Sequence, residues 1–157
     1  MKTIAPFVLA ASLVAANAAS AAPIIRDGAP ESPISSLVFV PAGAYDTAYV
    51  AGITPGDGPG KPFPIGTEAQ TVSTLTKISD LLAKRGMTMG DVVMLRVFLA
   101  ADPDKGAKAD RAGMNAAFKR FFGTAEQPNK PSRTTIAVTD NAPGHFVEID
   151  AIAVKAK

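Results

Sequence analysis

The stretch PSRTTIAVTDNAPGHFVEID, residues 131–150, carries the clearest strand pattern in the chain. Apolar and polar residues alternate on both sides of a cluster of Asp, Asn, Pro and Gly, which predicts two strands joined by a turn. A turn centred on Asp140 and Asn141 would place Arg133 directly opposite Glu148, and opposed residues of an antiparallel pair share a face. The pattern therefore predicts a hairpin with a guanidinium beside a carboxylate, either as a functional pair or as an ordinary cross-strand ion pair.

The first 21 residues have the features of an export signal. Lys2 gives a positive start, an apolar run extends from residue 4 to residue 16, and Ala-Ser-Ala at 19–21 offers a cleavage site between small residues. The apolar run is shorter than the roughly 20 residues that span a bilayer. We therefore predict that residues 1–21 are a cleaved signal peptide. The mature protein is then exported, to a bacterial periplasm, with no membrane association after cleavage.

Composition narrows the chemistry that the mature chain can perform. Removing 21 of 157 residues leaves 157 − 21 = 136, and the 16 basic and 14 acidic residues of the whole chain become 15 and 14 without Lys2. A nearly neutral chain without a basic stripe predicts that nucleic acid is not a partner. The absence of cysteine and the single histidine, His145, argue against thiolate catalysis and against a multi-histidine metal site. We predict a site built from Arg, Glu, Asn, hydroxyl and backbone groups, with no metal and no organic cofactor.

The remaining elements follow from hydrophobic periodicity. Strands are predicted at residues 36–40, 47–53 and 91–99, the first two joined as a hairpin and the third buried on both faces, and helices are predicted at 67–85 and 110–122. The first helix should begin with a capping box of Thr67 and Gln70 and end at Gly86. The second should be capped by Asp110 and end at Gly123.

The order β-β-α-β-α-β-β predicts one α+β domain with two helices on one face of a mixed sheet. This domain is predicted to span residues 33–157, preceded by a flexible lead-in at 22–32. The opposite sheet face, to which the pattern assigns Thr135, Ala137 and Phe146, is too apolar to be left in water. We therefore expect subunits to associate through it.

These residues resemble the RidA (YjgF-type) family of enamine/imine deaminases from about residue 33 to residue 154. The resemblance is carried by the strand pair ending in Gly52, Gln70, Gly86, Asp91-Val92-Val93, Met114-Asn115, Phe121-Phe122, Pro131-Ser132-Arg133 and the run Val147-Glu148-Ile149-Asp150-Ala151-Ile152-Ala153. It implies a chorismate-mutase-like fold and a homotrimer with sites in the clefts between subunits. It also implies a 2-imino acid or related carboxylate as the small-molecule partner.

The resemblance further implies roles for individual residues. Arg133 matches the arginine that holds the carboxylate of a 2-imino acid, and Glu148 matches the carboxylate that orients or deprotonates the attacking water. Asn115 matches an amide near the site.

Four positions depart from the family pattern. The family carries tyrosine, serine, glutamine and cysteine where this chain has Ile34, Ala51, Ile53 and Thr135, so the expected pocket has a thinner polar lining.

Two functional hypotheses follow from this comparison. The first is hydrolytic deamination of 2-imino or enamine acids to 2-keto acids and ammonia, with Arg133 as anchor and Glu148 as water-orienting group. The alternative is a non-catalytic trimer that binds small carboxylates on the same scaffold, which the thinner lining favours. A nuclease or translation-inhibitor activity is disfavoured by export and by the near-neutral charge.

Overall fold

The computed structural model describes residues 20–56 and 63–157, and this part of the chain contains six strands and two α-helices. In chain order they are β1 (Ile25–Asp27), β2 (Leu37–Phe39), β3 (Tyr45–Ile53), α1 (Thr67–Ala83), β4 (Val92–Leu99), α2 (Arg111–Phe118), β5 (Ser132–Ala137) and β6 (Val147–Ala156). The main sheet has the order β3-β6-β4-β5, with β4 and β5 parallel and the other neighbours antiparallel. The prediction of an α+β fold on a mixed sheet is confirmed.

The core lies between this sheet and both helices. Alternate residues of the two central strands are buried on one face, where they pack with the apolar stripe of α1 and with Met114 and Phe118 of α2. The central contributors are Leu75, Ile78, Leu82, Leu95, Val97, Leu99, Val147 and Ile149. Both helices therefore cover the same face, as predicted, and this face is called the helix face below.

The terminal signals of the helices were predicted in part. Gly86, with φ 66°, follows α1, and the Asp110 side chain accepts a 2.9 Å hydrogen bond from the Gly113 amide at the start of α2. The predicted capping box at Thr67 is wrong, because the N-cap residue is Gly66, which has no side chain to accept a hydrogen bond. The Thr67 hydroxyl and amide instead donate to the fully buried Asp102 carboxylate, at 2.8 and 3.1 Å. A buried carboxylate from the β4–α2 connection thus takes the place of a local cap.

Gln70, the other half of the predicted capping box, holds two loops together. Its amide nitrogen donates to the carbonyls of Pro64 and Gly144 at 3.3 and 2.7 Å, and its oxygen accepts from the Phe146 amide at 2.6 Å. The side chain is 1% exposed, so these bonds satisfy a polar group that water does not reach.

The predicted hairpin over residues 131–150 is wrong. β4 lies between the two strands, so that Arg133 pairs with Leu95 in the parallel ladder and Glu148 pairs with Phe98 in the antiparallel ladder. β4 and β5 are joined through α2, and a strand–helix–strand connection of this length favours parallel pairing. Alternation along residues 131–150 reports which face each residue occupies, but it does not report which strand lies alongside.

The predicted hairpin of residues 36–40 and 47–53 is also wrong. β2 pairs with β1, with Ile25 opposite Phe39, and β3 pairs with β6. β1 falls within residues 22–32, which the sequence had assigned to a flexible lead-in. Arg26 of β1 ties this segment to the rest of the fold, since its guanidinium donates to the carbonyls of Gly90, Val92 and Lys130 at 3.1, 2.9 and 3.0 Å. Burial lowers the pKa of Arg26 from its ordinary value, while the nearby charge of Asp91 acts in the opposite direction.

The second face of the sheet, called the open face below, is covered by neither of the two described helices. Tyr49 and Ile136 are 79% and 44% exposed there, and Phe98 and Ile152 are partly buried. Arg96 is exposed on this face, which corrects the prediction that its strand is buried on both sides. Thr135 and Ala137 pair with the buried Val97 and Leu99 and therefore lie on the helix face, contrary to prediction. The open face is nevertheless apolar, through other residues than those expected.

The predicted signal peptide lies almost wholly in residues 1–19, outside the described part of the chain. Within the described ranges, neither helix combines the length and the hydropathy needed to cross a bilayer.

Candidate functional site

The side chain of Arg133 lies between β5 and α2, and the region around it is called the cleft below. Its Nη2 donates to Asn115 Oδ1 at 2.7 Å, and its Nη1 lies 3.5 Å from the sulfur of Met114. The guanidinium carbon is 4.3 Å from the centroid of the Phe118 ring, a stacked cation–π arrangement. Three side chains of one helix therefore fix the orientation of this guanidinium. Its Nε is buried and finds no hydrogen-bond partner within residues 20–56 and 63–157.

The charge of Arg133 is not balanced by a carboxylate of the described residues. The three ion pairs among them are Arg96–Asp150, Arg120–Glu68 and Lys157–Asp46. Burial lowers the pKa of Arg133 from its ordinary value, and the like charge of Arg111 lowers it further. Arginine stays protonated in proteins despite such shifts, so the cleft holds a cation that is short of solvent and of counter-charge. This arrangement suits a small anion.

Thr135 and Arg111 complete the cleft. Thr135 lies two residues beyond Arg133 on the same face of β5, and its buried hydroxyl oxygen has no hydrogen-bond partner in the part of the chain that the structure describes. Arg111, the first residue of α2, donates to the Thr135 carbonyl from Nη1 and Nη2 at 3.3 and 3.4 Å. Arg111 was not predicted as a site residue. In the sequence, an arginine beside a charged loop looks the same whether it binds a ligand or only water.

Glu148 lies on the open face, beside the edge strand β3. Its Oε1 is so near Gly52 that a β-carbon built at that glycine would be 1.9 Å away. The register between β3 and β6 shifts between Val50 and Ile53, a bulge that contains Ala51 and Gly52. Among the described residues no hydrogen bond or ion pair involves the Glu148 carboxylate, which is partly buried. Its oxygens are therefore open to a water molecule.

The predicted site residues fall into separate groups within one chain. Arg133, Asn115 and Thr135 share the cleft on the helix face, whereas Glu148 lies on the open face with Ala51 in the neighbouring bulge. The side-by-side pair of Arg133 and Glu148 expected from the hairpin is therefore wrong for a single chain.

The last predicted site residue, Ile34, lies away from both groups. Ile34 lines a different pocket, which includes Ser35 and Lys130, ahead of β5. The cross-strand ion pair that does form joins Arg96 to Asp150, with contacts of 2.9 and 3.0 Å on the open face. An arginine inside an otherwise apolar strand was the sequence signal for that pair.

Comparisons with known proteins agree with this fold. Residues 30–155 match the family model described as Endoribonuclease L-PSP. A RutC family protein of Haemophilus influenzae is 32% identical over 87 residues, which cover 55% of this chain and 62% of that protein. The chain thus matches less than two thirds of the length of that relative.

Solved structures give the same result. The Rid family protein YyfB from Yersinia pestis superposes with a TM-score of 0.62 at 25% identity, covering 83% of this chain and 96% of that one. The YjgF gene product from E. coli superposes with a TM-score of 0.57 at 24% identity, covering 81% and 95%, which is a likeness of fold alone.

Proposed function

The chain belongs to the endoribonuclease L-PSP (YjgF/RidA) family, and on that premise we propose that it hydrolyses 2-imino acids to 2-keto acids and ammonia. The observation that carries the proposal is Arg133, a partly buried guanidinium oriented by Asn115 and Phe118. A 2-imino acid supplies the counter-charge that the cleft lacks, because its carboxylate can accept two parallel hydrogen bonds from one guanidinium. Fixing the carboxylate also fixes the adjacent C=N carbon for attack.

The reaction needs one water molecule and no change of oxidation state. The water oxygen bonds to the imine carbon while Glu148 takes one proton from the water and the imine nitrogen takes one proton from solvent. The carbinolamine then collapses: Glu148 returns its proton to the amine nitrogen, the C–N bond breaks to release ammonia, and the hydroxyl loses its proton to solvent as its oxygen becomes the keto oxygen. General-base assistance of this kind contributes typically 10²–10⁴-fold to the rate. The open oxygens of Glu148 support this role.

A site that uses both groups must combine two subunits in this proposal, since Arg133 and Glu148 leave opposite faces of the sheet. β5, which carries Arg133, and β3, which lies against Glu148, are the two edges of that sheet. We place each site in a cleft of a homotrimer, with Arg133 from one subunit and Glu148 from the next. The exposed Tyr49 and Ile136 on the open face support such an assembly. The mature, exported chain is the proposed active form.

The proposal is tested by following imine decay. An amino-acid oxidase generates 2-imino acids of several side-chain sizes, and semicarbazide traps what remains after exposure to the mature protein. We expect faster loss of imine with the wild type and loss of that effect in Arg133→Ala. Arg120→Ala is the matched control, because it removes an exposed arginine whose ion pair with Glu68 is long, at 3.7 Å, and therefore weak. Imine decay equal to the buffer blank with every side chain would refute hydrolysis.

The shared site has its own test. Arg133→Ala and Glu148→Gln are each expected to be inactive, and co-assembly of the two variants should restore part of the activity. Restoration requires that some clefts receive an intact Arg133 from one subunit and an intact Glu148 from the other. Mixed oligomers that are verified by mass and remain inactive would show that both groups act from the same chain.

A second candidate function is carboxylate binding without turnover. Two features favour it. Arg133 and Asn115, which would hold a carboxylate, come together within one chain, and Ala51 and Thr135 stand where the family carries serine and cysteine. Calorimetry with small carboxylates would then show binding that Arg133→Ala abolishes, while imines decay at the blank rate. An RNA substrate is included as a control because the family description names an endoribonuclease. The net charge of +2 gives little attraction to a phosphate backbone.

A further inference from the structure

One face of α2 places a second guanidinium beside Arg133. Arg111, Asn115 and Phe118 follow one another at helical spacing, and all three point toward β5. Arg111 reaches Thr135 while Asn115 and Phe118 reach Arg133, so α2 runs antiparallel to β5. The cleft therefore has two guanidiniums along α2, that of Arg133 against Asn115 and that of Arg111 against the Thr135 carbonyl.

Neither arginine of this cleft has an acidic partner in the described part of the chain. The nearest acidic residue in sequence, Asp110, uses its carboxylate to cap α2 through the Gly113 amide. The two cations are close enough that the charge of Arg111 lowers the pKa of Arg133. A ligand with two negative charges would relieve this repulsion, whereas a single carboxylate would leave one cation without a counter-charge.

The present contacts of Arg111 are easily exchanged for contacts to a ligand. Its two hydrogen bonds to the Thr135 carbonyl measure 3.3 and 3.4 Å, longer than the usual range of about 2.7–3.2 Å for such bonds. Arg111 is also exposed, so its side chain can turn without displacing core residues. The Thr135 hydroxyl and Arg133 Nε are buried beside these groups, and neither has a hydrogen-bond partner among the described residues.

We propose that Arg111 makes the cleft selective for 2-imino acids with a second carboxylate on the side chain, those derived from acidic amino acids. Arg133 holds the carboxylate next to the imine, and Arg111 holds the side-chain carboxylate. Arg111 is thus a specificity-determining residue. Selectivity in turnover rests on the proposed hydrolysis, whereas selectivity in binding does not.

The test compares isosteric pairs that differ in one charge. Imines are generated from aspartate and asparagine, and from glutamate and glutamine, and kcat/KM is measured for the mature wild-type protein. We expect the acidic imines to be preferred over their amide counterparts. Arg111→Gln should reduce that preference by about twofold to fivefold, as expected for an exposed charge pair. Arg120→Gln is the matched control, since it removes an exposed arginine near the same helix and should keep the preference.

A binding arm separates the two proposals. Calorimetry compares succinate with succinamate, its monoamide, on wild type and on Arg111→Gln. Preference for succinate that is lost in Arg111→Gln supports the inference even if no imine is hydrolysed, an outcome that would remove only the proposed hydrolysis. Equal affinity for the two compounds, or a preference that survives in Arg111→Gln, overturns the inference even if imines are hydrolysed.

Discussion

Substituting Gly52 by alanine would separate the position of Glu148 from the stability of the fold. A β-carbon at residue 52 would lie 1.9 Å from Glu148 Oε1 and 2.9 Å from its Cδ. Contacts of a real β-carbon essentially never fall below 3.0 Å, so the carboxylate has to move by at least 3.0 − 1.9 = 1.1 Å. The atoms that must move are the far end of a flexible side chain, and the backbone stays in place.

The effect on stability should be small. Gly52 is not among the residues with positive φ, so alanine can adopt its backbone conformation. Gly→Ala at such a position contributes about 0.4–1 kcal/mol by restricting the unfolded chain. A displaced side-chain rotamer costs a similar amount, about 0.5–1.5 kcal/mol. The free energy of unfolding should therefore change by less than about 1 kcal/mol.

The effect on turnover should be large. A misplacement of about 1 Å in a catalytic group can lower a rate by about a hundredfold. If Glu148 orients the attacking water, Gly52→Ala should lower kcat for imine hydrolysis by about that factor with little change in KM, because Arg133 on the other face is untouched. Imine decay gives kcat and KM, and urea denaturation gives the stability of the same preparation.

Gly90→Ala is the matched control for Gly52→Ala. A β-carbon at residue 90 meets its nearest atom, the hydroxyl oxygen of Thr88, at 3.4 Å, an ordinary contact. That variant should keep wild-type kinetics. A Gly52→Ala protein that is folded and has wild-type kcat would contradict the role given to Glu148.

Three further predictions concern other parts of the molecule. Gln70→Leu should lower the free energy of unfolding by about 2–4 kcal/mol in urea denaturation, since it leaves three partly buried backbone groups of two loops without their partner; a smaller loss would mean that water replaces the amide. Asn115→Ala should raise KM for imino acids about tenfold with little change in kcat, because Arg133 loses the acceptor that orients it; an unchanged KM would show that Asn115 is dispensable. Ile136→Asp should dissociate the proposed trimer in light-scattering measurements, and a mass equal to that of a trimeric wild type would exclude the open face as the interface.

The sequence predicted elements whose signals are local. The stripe of Leu75, Ile78 and Leu82 identified α1, because the pattern of one face is complete within the helix itself. Gly86 and Asp110 marked helix ends for the same reason. Strand pairing is not a local property. Both predicted hairpins are wrong because their strands pair with strands from elsewhere in the chain. The parallel pairing of β4 and β5 had a sequence signal in the helix between them, which the strong alternation of residues 131–150 obscured.

The candidate site was predictable only where one residue type carried the signal. The placement of Asn115 against Arg133 agrees with the resemblance to the family, whereas the relation of Arg133 to Glu148 depended on a register that the sequence could not fix. The approach of Glu148 to Gly52 and of Arg111 to Thr135 joins distant parts of the chain. Contacts of this kind depend on tertiary packing, which periodicity does not report.

The hydrogen bonds from Arg26 to three carbonyls extend the fold to residues before the family match. The family match starts at residue 30, yet the guanidinium that joins the start of β4 to Lys130 belongs to a residue before that boundary. The predicted cleavage after residue 21 would leave Arg26 and its hydrogen bonds in place, whereas removal of Arg26 would free the segment that leads into β5 and Arg133. The residues around Arg26 therefore help to position the strand that carries Arg133.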